Sequence, residues 1–282
     1  MTVLGLVGTG LIGGSVALAA RKYKTVNKIV GLDSDKSTIE RAISLGIIDN
    51  AIDDLSDLSG ADLVCVAVPT HSVSDCVLAA NRATGASVPI FDVGSVKTSI
   101  LKKMHTVPRN FIPCHPIAGS ERQGPEASSP FLFDTSPLVI TPVAGTDNHM
   151  KEKVRAFWEG LGARVYEQKP EEHDRDMALI SHLPHMVAFA LMEMLDDGPE
   201  YLKDRIGGSF KDMVRVAGAD STIWSNILTD NSVFISETKD QFKLILDRLS
   251  TMSKGDPQLL SQRLEAIKAA RLELPLKLES LD

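Results

Sequence analysis

Cysteine is scarce in this sequence and an excess of positive charge is absent. Its three cysteines, Cys65, Cys76 and Cys114, are odd in number, widely spaced and mostly in apolar surroundings. That excludes a disulfide framework and offers no metal-binding spacing, so they read as reduced structural thiols and no metal is expected. The 30 Lys and Arg against 37 Asp and Glu leave a formal charge of −7, which argues against nucleic acid or an anionic membrane as a partner. An anionic substrate would therefore have to be met by local positive charge. No apolar stretch is expected to be long enough to span a bilayer, and the N-terminus runs into an apolar strand without a basic leader region. Cytoplasmic residence follows by default. Internal repeats, low-complexity tracts and long linkers are also missing. At 282 residues, 43% hydrophobic and 24% charged, the chain can bury cores for two domains.

The most informative segment is the first. The apolar residues Val3, Leu4, Leu6 and Val7 lead directly into Gly8-Thr9-Gly10-Leu11-Ile12-Gly13, which predicts a buried strand, a glycine turn and a helix start. Gly8 suits the tight turn, Gly10 a close backbone approach to a pyrophosphate, and Gly13 close packing of helix on strand. The helix N-terminus offers free N–H groups to phosphates. A second strand-like run, Lys28 to Leu32, ends at Asp33, twenty residues past Gly13, where a dinucleotide fold places its ribose-binding carboxylate. Asp33 would repel a 2′-phosphate, and Ser34, Asp35 and Lys36 include no arginine to reverse this, so NAD is expected over NADP.

Further strand-like runs (Asp62 to Val68, Val88 to Val93, Asn110 to Pro113, Leu138 to Thr141, Ala163 to Tyr166) alternate with helical patterns, the signal of an α/β fold with a doubly wound, Rossmann-type parallel sheet. After Pro170 strand signals nearly vanish. Glu171 to Leu195, Tyr201 to Val216, Thr222 to Leu228 and Ser232 to Met252 all have helical periodicity. The expected division is therefore an N-terminal nucleotide-binding domain, 1–169, and a C-terminal all-helical domain, 170–282. Met186 to Leu195 is too apolar to be solvated on every face, which predicts burial within its domain or a homodimer through this half.

Ligands of such sheets bind beyond the carboxyl ends of the strands, where three segments are rich in reactive types. In Asp92-Val93-Gly94-Ser95-Val96-Lys97, Ser95 taken alone is an N-cap for a helix beginning near Lys97, although a cap can also face a substrate. In Cys114-His115-Pro116-Ile117-Ala118-Gly119-Ser120-Glu121, His115 at a strand end reads equally as a base near neutral pH or as a loop histidine bonded to backbone. In Ser181-His182-Leu183-Pro184-His185, two histidines three apart share a helix face, but no further ligand pattern supports zinc. Arg215, later in the chain, has apolar neighbours and needs a carboxylate, whether structural or from a substrate.

Together these segments, with the glycine fingerprint and Asp212 to Trp224, resemble the prephenate and arogenate dehydrogenase family of tyrosine biosynthesis, in the same order over nearly the whole chain. The resemblance implies an NAD-dependent oxidoreductase in which His115 is the base on the ring hydroxyl, with Ser95 hydrogen-bonding nearby. It implies that Arg215 holds a substrate carboxylate and that Ser120, Glu121, His182, His185 and Trp224 line the pocket. The cofactor set would be Gly8, Thr9, Gly10, Leu11, Ile12, Gly13, Asp33, Val68, Pro69 and Ser95. The substrate would be prephenate by default, with arogenate or dual use as the alternative, and Glu121 could attract arogenate's ammonium group.

Two features depart from the family. Val214 stands before Arg215 where threonine is frequent, and the chain ends at Asp282, so any tyrosine feedback is expected to act at the active site itself. Other two-domain dehydrogenases of the β-hydroxyacid or imine-reducing kind would not require the His-Pro-Ile-Ala-Gly segment together with His-Leu-Pro-His. A nucleotide sensor without turnover would have no need of Ser95, His115 and Arg215 together.

Overall fold

The computed structural model describes residues 2–120 and 122–274. Its first sheet consists of β1 (Val3–Val7), β2 (Lys28–Leu32), β3 (Asn50–Ala51), β4 (Leu63–Val66), β5 (Ile90–Asp92) and β6 (Phe111–Ile112). All pairings are parallel, in the order β3-β2-β1-β4-β5-β6. Helices α1 (Leu11–Lys22), α2 (Lys36–Ser44), α3 (Thr70–Thr84) and α4 (Thr98–Lys102) lie along this part of the chain. The central strands are apolar throughout because both faces are covered. Leu4, Leu6, Ile29 and Phe91 feed one core with Val16, Ala20 and Trp158, while Val7, Val64, Val66 and Ile90 feed another with Val73, Val77 and Phe111.

The glycine turn forms as expected. Gly8 has φ +93°, and a Cβ there would stand 2.3 Å from the Ala67 carbonyl oxygen. A Cβ on Gly13 would stand 2.0 Å from the Gly8 carbonyl oxygen, so α1 can start this close to β1 only with glycine in place.

The later strands do not join the first sheet. β7 (Cys114–Pro116), β8 (Pro137–Ile140) and β9 (Arg164–Glu167) form a second, mixed sheet in which β7 pairs antiparallel with β8 and β8 parallel with β9. Helix α5 (Asn148–Gly160) connects β8 to β9. The expected Asn110 to Pro113 strand stops at Ile112 because Pro113 has no N–H to continue the ladder, and the chain passes to the other sheet. His115 thus lies in the middle of a three-residue strand, not at the end of one.

Beyond Lys169 the chain is helical. Pro170 opens α6 (Pro170–Met177), whose first turn carries Glu171 and Glu172. A π-helical turn, Ala178–His182, leads directly into α7 (Leu183–Asp196). Pro184 cannot donate to the Ile180 carbonyl, and the helix widens at this point. Fused in this way, Pro170–Asp196 is a 27-residue helix long and apolar enough, by length and composition, to cross a membrane, which corrects the expectation that no such stretch exists. Of the two expectations for Met186 to Leu195, burial within its own domain is not met by the single chain. Within α7 only Leu183 and Ala188 are buried, and Leu179, Ile180 and Met194 are 59%, 62% and 72% exposed.

Tyr201 to Val216 is not one helix. It comprises a 3-10 segment (Glu200–Arg205), α8 (Gly208–Val214) and a second 3-10 turn (Arg215–Gly218), the first break falling at Ile206 and Gly207. Next come α9 (Ser221–Asp230), capped by the Asp220 carboxylate, α10 (Ser232–Met252) and α11 (Pro257–Leu272). Contacts divide the chain into two compact units, Met1–Ile235 and Ser236–Asp282. The first holds both sheets and every described residue of the candidate site.

Candidate active site

The glycine turn opens onto a cavity of about 380 Å³. Gly10, Leu11 and Ile12 form one wall, Val68 and Pro69 beyond β4 and Ser95 beyond β5 another, and Ser120 and Trp224 close the far side. Asp33 lies at the end of β2, where its Oδ2 accepts hydrogen bonds from the Thr9 amide (2.8 Å) and hydroxyl (3.2 Å) and its Oδ1 accepts from the Asp35 amide. A carboxylate has lone pairs beyond these three, so Asp33 can still accept from a ligand hydroxyl. No side chain caps α1, which leaves its first N–H groups free. A Cβ on Gly10 would meet nothing within 4 Å. Bare amides, an unfilled approach at Gly10 and a carboxylate with spare acceptors are the groups a dinucleotide requires.

Beside this crevice lies a buried polar network. Nδ1 of His115 is 2.8 Å from Nε2 of His173, and Nδ1 of His173 is 2.8 Å from Oδ1 of Asp174. His173 and Asp174 are fully buried. The Asp174 carboxylate also accepts the backbone amides of Lys97 and Thr98, at 2.9 and 2.8 Å, and the Thr98 hydroxyl. Burial alone would raise its pKa, but the hydrogen bonds from His173, Thr98 and Lys97 outweigh burial and lower it. Burial, followed by the neighbouring His173, Lys97 and His182, holds His115 neutral to well below the usual histidine range.

The helix start near Lys97 is therefore capped from a distance. α4 begins at Thr98, and Asp174 of α6 binds its first amides. This corrects the reading of Ser95 as the cap and leaves Ser95 on the cavity wall. The same loop is pinned from behind by a second device. Lys97 Nζ, with no exposure, lies 2.5 Å from Asp92 Oδ2 and donates to the Cys114 carbonyl, while Asp92 accepts the Gly94 and Cys114 amides. An ion pair removed from water needs such additional hydrogen bonds, and here they tie β5, its exit loop and β7 together.

His182 is buried under Asn231, whose Nδ2 donates to His182 Nδ1 (2.9 Å) and to the Asp174 carbonyl (2.8 Å). Burial is the main cause that lowers its pKa to about 4. His185 donates from Nδ1 to the Ser181 carbonyl and stacks on Trp224 with 3.6 Å between ring centres. Trp224 also stands edge-on to His182 at 6.0 Å, so one indole joins the histidine cluster to the cavity it lines. Burial, opposed by the Ser181 bond and helped by the charge of Arg215, lowers the His185 pKa.

Arg215 does not lie in an apolar core. It is exposed at the start of a 3-10 turn and makes no ion pair with any described residue. Glu121 lies outside the described residues. Among the described residues no group of three or more His, Cys, Asp or Glu could hold a metal. Sequence reading missed His173, Asp174, Asn231 and the Asp92–Lys97 pair. The Glu171 to Asp176 run looks like a solvated helical turn, and nothing local marks His173-Asp174 as its buried face.

Comparison with known proteins gives a consistent result. A family described as Prephenate dehydrogenase, nucleotide-binding domain, matches residues 16–167, and one described as Prephenate dehydrogenase, dimerization domain, matches 169–266. Cyclohexadienyl dehydrogenase of Zymomonas mobilis is 33% identical, over 96% of this chain and 95% of that protein. Prephenate dehydrogenase of Bacillus subtilis is 31% identical, over 96% of this chain and 76% of that protein. The crystal structure of prephenate dehydrogenase from A. aeolicus in complex with hydroxyphenyl propionate and NAD+ superposes with a TM-score of 0.91 at 30% identity, covering 97% of this chain and 98% of that one.

Proposed function

Because the chain belongs to the prephenate dehydrogenase family, we propose that it catalyses the NAD-dependent oxidative decarboxylation of prephenate to 4-hydroxyphenylpyruvate, as a soluble, cytoplasmic enzyme of tyrosine biosynthesis. NAD, when bound, supplies the acceptor for the hydride lost from C4 of the substrate ring. The α1 amides beside Gly10 would hold its pyrophosphate and Asp33 its ribose hydroxyls, with Leu11, Ile12, Val68 and Pro69 along the wall.

Neutral His115 takes the proton of the C4 hydroxyl, and Ser95 hydrogen-bonds beside it. Arg215, exposed and without a described carboxylate partner, grips a substrate carboxylate and supplies the positive charge that the acidic chain lacks overall. Ser120, His182, His185 and Trp224 border the ring. Loss of the ring carboxylate as carbon dioxide returns its bonding electrons to the ring, and the resulting aromaticity makes the reaction effectively irreversible.

One observation carries this reading. The loop after β5 puts Ser95 on the cavity wall and, two residues later, binds through the Lys97 amide to the Asp174 that ends the His115 chain. A nucleotide crevice and a neutral, oriented histidine are thereby built on one turn. The test is NADH formation by purified protein given NAD with prephenate and with arogenate in parallel. Faster turnover with prephenate supports the reading. Preference for arogenate favours the second reading, a cyclohexadienyl enzyme, to which the Z. mobilis relative's name lends weight. Tight NAD binding without turnover on either would point to a sensor.

On the same reading, residues 1–169 serve the nucleotide and 170–282 the substrate and the dimer. The exposed side chains Leu179, Ile180 and Met194 form the apolar face a second copy would cover. A monomeric mass at micromolar concentration would contradict the dimer.

A further inference from the structure

The hydrogen bonds around His115 admit one consistent placement of protons when His173 is neutral. Ionised Asp174 can only accept, so the His173 Nδ1 that faces it at 2.8 Å must carry a proton. The Nε2 of His173 is then a bare lone pair. It lies 2.8 Å from His115 Nδ1, which must therefore donate. The remaining nitrogen of His115, Nε2, is left without a proton. A histidine bound to nothing takes both tautomers; the partner of one nitrogen decides the state of the other. The neighbouring His182 is set the opposite way, because the Asn231 amide donates to its Nδ1 and Nε2 must hold the proton.

We infer that His173 is a positioning residue, which keeps His115 in the one tautomer able to accept a proton at Nε2, and that Asp174 holds His173 in turn. The inference rests on the reading of His115 as the base. His173 touches neither substrate nor cofactor; it acts through His115. Once His115 accepts the hydroxyl proton, its Nδ1–H still points at His173, and the Asp174 charge stabilises the imidazolium without any proton leaving His115. If His173 were instead an imidazolium, its Nε2–H would donate to His115, put the His115 proton on Nε2 and abolish its use as a base. The buried anchors of Asp174, the amides of Lys97 and Thr98, keep the carboxylate from turning away.

The test reads the proton positions directly in protein labelled with 15N at its histidines, free of NAD and substrate at neutral pH, with His115→Asn and His182→Asn assigning the signals. The expected result is His115 protonated at Nδ1 and bare at Nε2, with His182 reversed. A proton on His115 Nε2, or a doubly protonated His173, overturns the inference. Kinetics supply the second arm. His173→Gln, whose amide oxygen can still accept from His115, should retain turnover within about tenfold, whereas His173→Phe, which fills the space without an acceptor, should lose about 10- to 100-fold in kcat with KM nearly constant. Equal losses in both variants, with the His115 tautomer unchanged, would mean that His173 is merely structural. Silence of the unaltered protein toward both substrates overturns the functional reading and this inference with it. The wrong tautomer beside normal turnover overturns this inference alone.

Discussion

At Gly8–Gly13 the groups offered to a ligand are backbone amides, backed by one carboxylate from the next strand. Around His115 they are side chains from β7, α6, the π turn and the junction of α9 with α10. Thr9 and Asp33, which close the first region, are 24 residues apart. His115 and His173 are 58 apart, and Lys97 and Asp174 are 77 apart. The first region is thus built by conformation over a short stretch, where glycine is required because a Cβ would collide with backbone. The second is built by assembly: His115 meets His173 from 58 residues away, and His182 meets Asn231 from 49. Binding a dinucleotide needs only the first kind of construction; moving a proton needs the second.

The comparison is broken most severely at His115. Replacement by Asn should lower kcat by about two to four orders of magnitude while leaving NAD affinity intact, and loss of NAD binding alongside would show that the two regions are not separable. Acid should act on the assembled region alone. His182 is shifted from its ordinary 6.5 to about 4, so below pH 6.5 the unfolded chain binds a proton that the folded one refuses. Stability present above that pH is lost as pH falls from 6.5 to 4, by about 3 kcal/mol from this group. Thermal unfolding across that window checks it, and a flat Tm would contradict it. The acid limb of kcat, set by His115, should likewise lie below the usual histidine range.

Arg215→Ala should raise KM for substrate by about tenfold to a hundredfold with kcat little changed, because a carboxylate grip serves ground and transition states alike. Equal losses in kcat would place Arg215 within the chemistry. The smallest effect sharpens the contrast within the glycine turn. Gly10→Ala puts its methyl into open space and should leave Tm unchanged while weakening NAD by severalfold, whereas Gly13→Ala drives a methyl into the Gly8 carbonyl and should lower Tm first. Calorimetry and NAD titration of the two variants distinguish these outcomes.

Legibility in the sequence follows the same line. The turn, Asp33, the parallel nature of the first sheet and the helical character after Pro170 could be read because they rest on local periodicity and glycine placement. Ser95, His115 and Trp224 could be singled out by type and by family resemblance, but not by what each touches. The reading of Ser95 as a cap failed because Asp174, from another element, already filled that role. The apolar stretch Met186 to Leu195 left cover by its own domain and cover by a second copy both open, because hydrophobicity records a need for cover, not whether the same chain supplies it.

By itself the sequence determined the parallel nucleotide fold, the glycine turn between β1 and α1 and the set of residue types from which an active site could be made. Backbone conformation and side-chain periodicity are properties of neighbours along the chain. Only the tertiary structure decided that His173 and Asp174 stand behind His115, that Asn231 governs His182, and that Asp92 and Lys97 are paired away from water. Desolvation and hydrogen-bond direction exist only once distant segments are in contact, and they set which nitrogen holds a proton.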